Sequence, residues 1–167
     1  MINGVGTAVL AAAAFTGAAV AALGAARANG RVTNIRGCDR RGDGDDVYLV
    51  RRWLLDFGRY GKLYHHTFKR SDYDVFHDHP WSFVTLILAG GYWEETLDAR
   101  PRFLLPGQIH FRPAAWTHRV RLLELKNGRE LPAKTLVWTG PVSRQWGFHL
   151  PSGWVNWREY FAREGCK

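Results

Sequence analysis

Pro-Gly-Gln-Ile-His-Phe-Arg-Pro-Ala-Ala-Trp-Thr-His-Arg-Val-Arg-Leu-Leu-Glu-Leu, residues 106–125, reads as two short strands bounded by turns. Pro106-Gly107 and Pro113-Ala114-Ala115 are turn signals, and the runs 108–112 and 117–125 between and after them are extended. In the second run His118, Val120 and Leu122 share one face, and Arg119 and Arg121 share the other. The basic pair therefore suits an outer surface and His118 an inner one.

The same texture extends outward in both directions. Runs rich in Val, Leu, Ile, Tyr, Phe, Trp and Thr occupy 47–55, 62–69, 74–79, 82–89, 92–97, 102–105, 134–139 and 145–150. Phe57-Gly58, Gly90-Gly91, Asn127-Gly128, Thr139-Gly140-Pro141 and Pro151-Ser152-Gly153 punctuate them. Short, closely spaced strands with Gly/Pro punctuation predict an all-β sandwich or barrel. No stretch of this body sustains a 3.6-residue apolar period, which excludes a helical bundle. The tail 154–161 reads equally as a last strand or a short helix.

Composition sets the outer bounds. The 167 residues carry 23 Lys+Arg and 15 Asp+Glu, a net charge of +8, with 46% hydrophobic and 14% aromatic residues. That aromatic load excludes a disordered or collagen-like chain. Cys38 and Cys166 are too few for a disulfide scaffold or a Cys-rich zinc module, although one bridge between them is open. Residues 2–26 hold no charged side chain. The expected division is an Ala-rich apolar leader (1–30), a Gly- and charge-rich linker (31–46) and a β-domain (47–167).

Residues 5–26 are long enough to cross a membrane as a helix. With Arg27, Arg31, Arg36, Arg40 and Arg41 following, an anchor would leave the domain on the cytoplasmic side. The alternatives are a signal peptide cleaved near Ala28, which would export the domain, and an upstream extension from a wrongly chosen start.

The chemistry concentrates on histidine. His77-Asp78-His79 ends a strand-like run, so His77 and His79 share a face while Asp78 points away. Two imidazoles about 7 Å apart along a strand can converge on a metal roughly 2.1 Å from each nitrogen. His118 supplies a third imidazole. Of the adjacent pair His65 and His66, at most one faces inward; Arg51 and Arg52 are among the arginines scattered along the chain. His110 reads as a surface or satisfied core residue. His149 is the acid/base candidate, because an imidazole near neutral pKa can move a proton or orient a substrate.

Gly107, Pro113, Ala115 and His118 match the intervals of the second cupin motif, with Ala115 in place of Gly and Leu122 in place of Asn. His77, His79 and Gly90 or Gly91 match the first motif, with Ser71 at its initial Gly and Phe83 or Val84 where it has Glu. On these residues the chain resembles the cupin superfamily over about 60–140. The likeness is strongest to uncharacterised phage and bacterial members carrying Arg70-Ser71-Asp72, His77–Trp81 and Trp146-Gly147-Phe148 segments. The resemblance implies a double-stranded β-helix, or jelly roll, and a divalent-metal site at His77, His79 and His118. Fe(II) leads as the metal, with Zn, Ni or Mn as alternatives. Without the motif Glu the set is three neutral imidazoles. Glu94 or Glu95 is a substitute carboxylate, and alternation turns only one inward.

Arg112 and Arg144 are candidates to clamp an anionic substrate, and Trp81 and Tyr92 to wall its pocket. The leading function is a small-molecule dioxygenase. The alternatives are a non-catalytic sugar- or small-molecule-binding module and a metal-free, sugar-nucleotide epimerase-like enzyme using a histidine beside Tyr64 or Tyr92. Pairing of two copies through edge strands is a further expectation. Dispersed arginines without a basic run or recognition motif argue against nucleic acid.

Overall fold

The computed structural model describes residues 27–28, 30–36 and 47–164. Residues 1–26 of the apolar leader, both cysteines and most of the expected linker lie outside the described residues. Among the described residues no helix is long and apolar enough to cross a membrane.

Among the described residues fourteen strands form two antiparallel sheets. In chain order they are β1 (Arg27–Ala28), β2 (Val32–Arg36), β3 (Val47–Asp56), β4 (Lys62–Phe68), β5 (Phe76–His77), β6 (Phe83–Ala89) and β7 (Tyr92–Thr96). They continue with β8 (Arg102–Leu104), β9 (Ile109–Arg112), β10 (His118–Glu124), β11 (Glu130–Leu131), β12 (Ala133–Thr139), β13 (Gly147–Leu150) and β14 (Gly153–Asn156). One sheet runs β1-β3-β4-β12-β6-β9, with β2 on the free stretch of β3. The other runs β14-β13-β5-β10-β7-β8, with β11 beside β10. Neighbours in each sheet are mostly distant in sequence, which is the double-stranded β-helix arrangement.

Alternation decides which side chains enter the interior. Phe83, Thr85 and Ile87 on β6, Tyr92 and Glu94 on β7, His118, Val120 and Leu122 on β10, and Thr135 and Val137 on β12 are buried. Ile87 and Ala133 from one sheet pack against Tyr92, Leu104, Val120 and Leu122 from the other. Burying such aliphatic and aromatic side chains contributes roughly 1.5–3 kcal/mol each, the main force closing the sheets. On the outer face Arg119 and Arg121 pair with Glu95 and Asp74, as their alternation predicts.

Among the segments that differ from the sequence expectation are β1, inside the expected leader, and β11, outside every expected run. Val32–Arg36, within the expected linker, is a strand paired with β3 from Val32↔Arg52 to Arg36↔Val47. Its side chains are mostly exposed, so it carries no apolar signature and is held by backbone pairing. The tail is both strand and helix: β14 ends at Asn156, whose Oδ1 accepts the Arg158 N–H at 3.0 Å and caps α1 (Trp157–Glu164). Trp157 stacks on Trp146 with centroids 5.7 Å apart, and Tyr160 and Phe161 pack on Phe148 at 4.0 and 5.7 Å. The helix thereby becomes one wall of a cavity opening between the sheets.

Candidate metal centre

His118 opens β10 and stands directly opposite His77 of β5 in the antiparallel register. His79 follows two residues after His77, beyond the end of β5. Its backbone N–H donates to Ala114 O at 3.0 Å, tying it to the Pro113-Ala114-Ala115 turn. The three rings lie 5.0–5.1 Å apart between centroids. One nitrogen from each falls within 4.8 Å of the others. Phe83, which with Val84 spans the motif position where a Glu is absent, places its ring 4.7 Å from His79.

Glu94 is the inward member of the Glu94-Glu95 pair, only 3% exposed. It stays outside the cluster and fixes His118 from behind, with His118 Nδ1 donating to Glu94 Oε1 at 3.0 Å. That bond assigns the tautomer and leaves the Nε2 lone pair facing inward. Arg112 Nε donates to Oε1 at 2.8 Å, Arg112 Nη2 bonds Oε2, and Trp116 Nε1 donates to Oε1 at 3.2 Å. Burial alone would push the Glu94 carboxyl up. The bonds from His118 and Arg112 override it and hold the group well below the usual carboxylate range.

Burial drives the histidines the other way. His77 is pushed down to about 4, chiefly by desolvation, with His118 adding to the fall and Asp72 opposing it. His79 is held well below its ordinary value by burial and by His77 and His118. At neutral pH both are therefore uncharged rings with lone pairs available to a ligand.

This donor set fits a divalent ion. His79 Nε2 and His118 Nε2 approach to 2.9 Å. A shared proton or a cation on which both lone pairs converge satisfies that geometry, and the third imidazole stands within reach of the same point. Three imidazoles suit Fe(II), Zn(II) or Ni(II) and leave positions open for another ligand.

The remaining sequence candidates disperse. Arg112 is buried against Glu94 and stacked 4.8 Å from the Trp116 ring, which corrects its expected role as a substrate clamp. Arg144 is likewise committed, with Nη1 2.7 Å from Asp78 Oδ2. His149 corrects a third expectation. Phe148 pairs with His77 and shares its face, so His149 points to the opposite side of the sheet. There its Nε2 is 3.2 Å from Thr117 Oγ1 and 3.4 Å from Asp78 Oδ2. Trp81 and Tyr92 do line the interior. Tyr64 lies beside Trp53 and under Arg51, away from the three histidines. His110 bonds Gln108 Oε1, as befits a rim residue.

Two spaces that share lining residues meet the cluster. The outer one, about 240 Å³, is walled by Trp81, Trp146, Phe148, Tyr160 and Phe161 and reaches His77 and His79. The inner one, about 90 Å³, lies behind them against Thr85, Tyr92, His118 and Thr135. Tyr48, Arg51, Asp72, His77, His79 and Trp81 border both. Asp72 substitutes for a strand along β10: its N–H donates to Val120 O at 2.8 Å and its Oδ2 accepts Val120 N–H at 2.7 Å. Sequence reasoning missed Arg51, Tyr48 and the helical wall. Arg51-Arg52, like His65-His66, is an adjacent pair on a strand, and that spacing alone required one arginine to face inward.

Together, two antiparallel sheets and a histidine cluster at the barrel mouth define a cupin-fold protein, a double-stranded β-helix. Solved structures that it is similar to include the following. DMSP lyase DddQ from Ruegeria pomeroyi superposes with a TM-score of 0.54 at 21% identity, covering 74% of this chain and 63% of that one. This chain thus spans less than two thirds of the lyase's length. A cupin-like protein from Thermotoga maritima gives 0.48 at 16% identity, over 68% and 83% of the two chains. A double-stranded β-helix protein from Klebsiella pneumoniae gives 0.46 at 14%, over 70% and 96%. At these identities the likeness is one of fold. No protein-family model and no curated sequence matches the chain.

Proposed function

We propose that this protein is a divalent-metal cupin enzyme acting on a small molecule, with Fe(II) as the leading metal and oxidation by dioxygen as the leading reaction class. The observation that carries the reading is the convergence of His77, His79 and His118 within 4.8 Å at the inner end of an aromatic cavity.

His77, His79 and His118 would hold the ion, which when bound supplies Lewis acidity and, for iron, redox chemistry at its open positions. The chain's own residues do the rest. Glu94 keeps the His118 lone pair directed at the cluster through the Nδ1 bond. Trp81, Trp146, Phe148 and Phe161 receive the apolar part of a substrate and displace water from the reacting face. Phe83 fills the space beside His79 and keeps a further protein ligand out. The DMSP lyase among the fold neighbours gives a precedent for small-molecule chemistry on this architecture, although fold alone does not assign a reaction.

Metal analysis of untagged protein tests the reading. Near-stoichiometric divalent ion is expected, lost in His77→Ala and His118→Ala while the circular dichroism of the fold is kept. Oxygen uptake with a panel of thiols and small acids then separates an oxygenase from a non-catalytic binder. Wild-type protein that takes up no ion after anaerobic loading with Fe(II) overturns the proposal.

A further inference from the structure

We propose that Arg51 is the anion-docking residue of this cavity, and that the ligand is a small organic monocarboxylate whose apolar body rests on the aromatic wall. The inference rests on the cavity beside the three histidines being the ligand site, and it names that ligand's chemical class.

Arg51 sits on β3 directly across from His66 of β4 and borders both the outer and the inner space together with His77 and His79. Its Nε donates to His66 Nε2 at 3.0 Å, and its guanidinium carbon stands 5.1 Å from the Tyr64 ring centre. Among the described residues these partners are neutral and no carboxylate pairs with it. His66 is buried and held well below its ordinary pKa by desolvation first and by Arg51 second, so it accepts as an uncharged imidazole. Burial also lowers the Arg51 pKa, as expected of a cation withdrawn from water without a counter-ion.

The contrast with the other arginines is direct. Arg112 is closed by Glu94, and Arg144 by Asp78. At Arg51, Nε is bound from the side, while no bond engages Nη1 or Nη2 among the described residues. That end of a planar fork matches the two oxygens of a carboxylate.

Charge and shape select the class. Asp72 borders the same spaces, and its Oδ2 already accepts Val120 N–H and faces His77 Nδ1 at 3.9 Å. Among the described residues bordering both spaces, Arg51 is the one cation and Asp72 the one carboxylate, a balance that suits a single negative charge and disfavours a phosphate dianion. Trp81, Trp146, Phe148 and Phe161 then require an apolar body.

Benzoate, its neutral isostere benzamide and phenyl phosphate, titrated calorimetrically into the untagged protein, test the assignment. Benzoate is expected to bind at least tenfold more tightly than benzamide and more tightly than phenyl phosphate. Arg51→Met should lose that preference with metal content unchanged, and Arg51→Lys should restore part of it. Equal binding of acid and amide, no binding of benzoate, or tighter phenyl phosphate overturns the proposal. The wild-type comparison needs no variant, so a poorly folding Arg51→Met leaves the test intact. His77→Ala separates the two readings. Benzoate preference surviving there, with metal gone, upholds the Arg51 site independently. Preference lost in His77→Ala but kept in Arg51→Met means that the ion holds the carboxylate, which sinks this inference and leaves the metal reading standing.

Discussion

Glu94 and Asp78 are both buried carboxylates, 3% and 1% exposed, and each gathers an arginine, a tryptophan and a histidine. They stand on opposite faces of the same sheet. Glu94 looks inward, and its histidine is His118 of the cluster, held at 3.0 Å. Asp78 looks outward from between His77 and His79, and its bonds go to Gly147 N–H at 2.8 Å, Trp154 Nε1 at 3.0 Å and Arg144. One carboxylate aims a prospective ligand; the other fastens the C-terminal hairpin to the segment that carries His77 and His79. The lesson is that a buried acid is assigned a role by the face its strand alternation selects, since its partners are alike in kind.

The largest effect expected from breaking this comparison is at Asp78. Asp78→Ala leaves Arg144 and the Gly147 and Trp154 donors without their acceptor, and leaving a buried donor unsatisfied costs about 1–3 kcal/mol apiece. Urea unfolding should register that loss, while metal affinity of the remaining folded protein changes little. Gly147 tolerates no side chain beside this bond, because a Cβ there would lie 2.1 Å from Val155 O.

Acid should weaken the chelator-treated protein next most strongly. The folded pKa of His77 is about 4 against an ordinary 6.5, so the unfolded chain takes up its proton first as pH falls. Stability is therefore full above about 6.5 and lost progressively toward pH 4, by about 3 kcal/mol for His77 alone. His66 and His79 shift in the same direction and add to the loss. Glu94, also depressed, has the same sign but acts below its ordinary 4.5. Urea midpoints that stay flat between pH 6.5 and 5 contradict the buried, neutral state of these rings.

Glu94→Gln sharpens the contrast from the inner face. It keeps the shape but weakens the His118 and Arg112 bonds, and disturbing such a partner costs roughly 10–100-fold in metal affinity. A metal titration that matches wild type would leave Glu94 with a purely structural role. The smallest effect belongs to its neighbour. Glu95→Gln removes a partly exposed partner of Arg119, which costs under about 1 kcal/mol and leaves metal uptake unaltered.

Much of the barrel was legible because its strands are short, apolar and punctuated by Gly and Pro. The run 117–125 became β10 at His118–Glu124, and 134–139 became β12 at Ala133–Thr139, within a residue at each end. Of the strands missed, β2 shows the limit. Val32–Arg36 buries almost nothing, so a pattern based on burial has nothing to detect. The three histidines were legible for the complementary reason: alternation and turn spacing are local properties of the chain. Arg112 and Arg144 were misjudged because both lie near the mouth, and nearness along the chain does not reveal that Glu94 and Asp78 close them from strands far away in sequence.

The amino-acid order alone determined which residues alternate, where strands stop and that His77, His79 and His118 can share an interior, since these follow from steric rules acting over a few residues. Register between distant strands decided the rest. It placed Glu94 behind His118, turned His149 away from the cluster with Asp78, and left Arg51 facing the cavity without a described carboxylate. Pairings such as β3 with β4 and β5 with β13 are chosen by the packing of two whole sheets, a balance of burial and hydrogen bonding that no single segment contains.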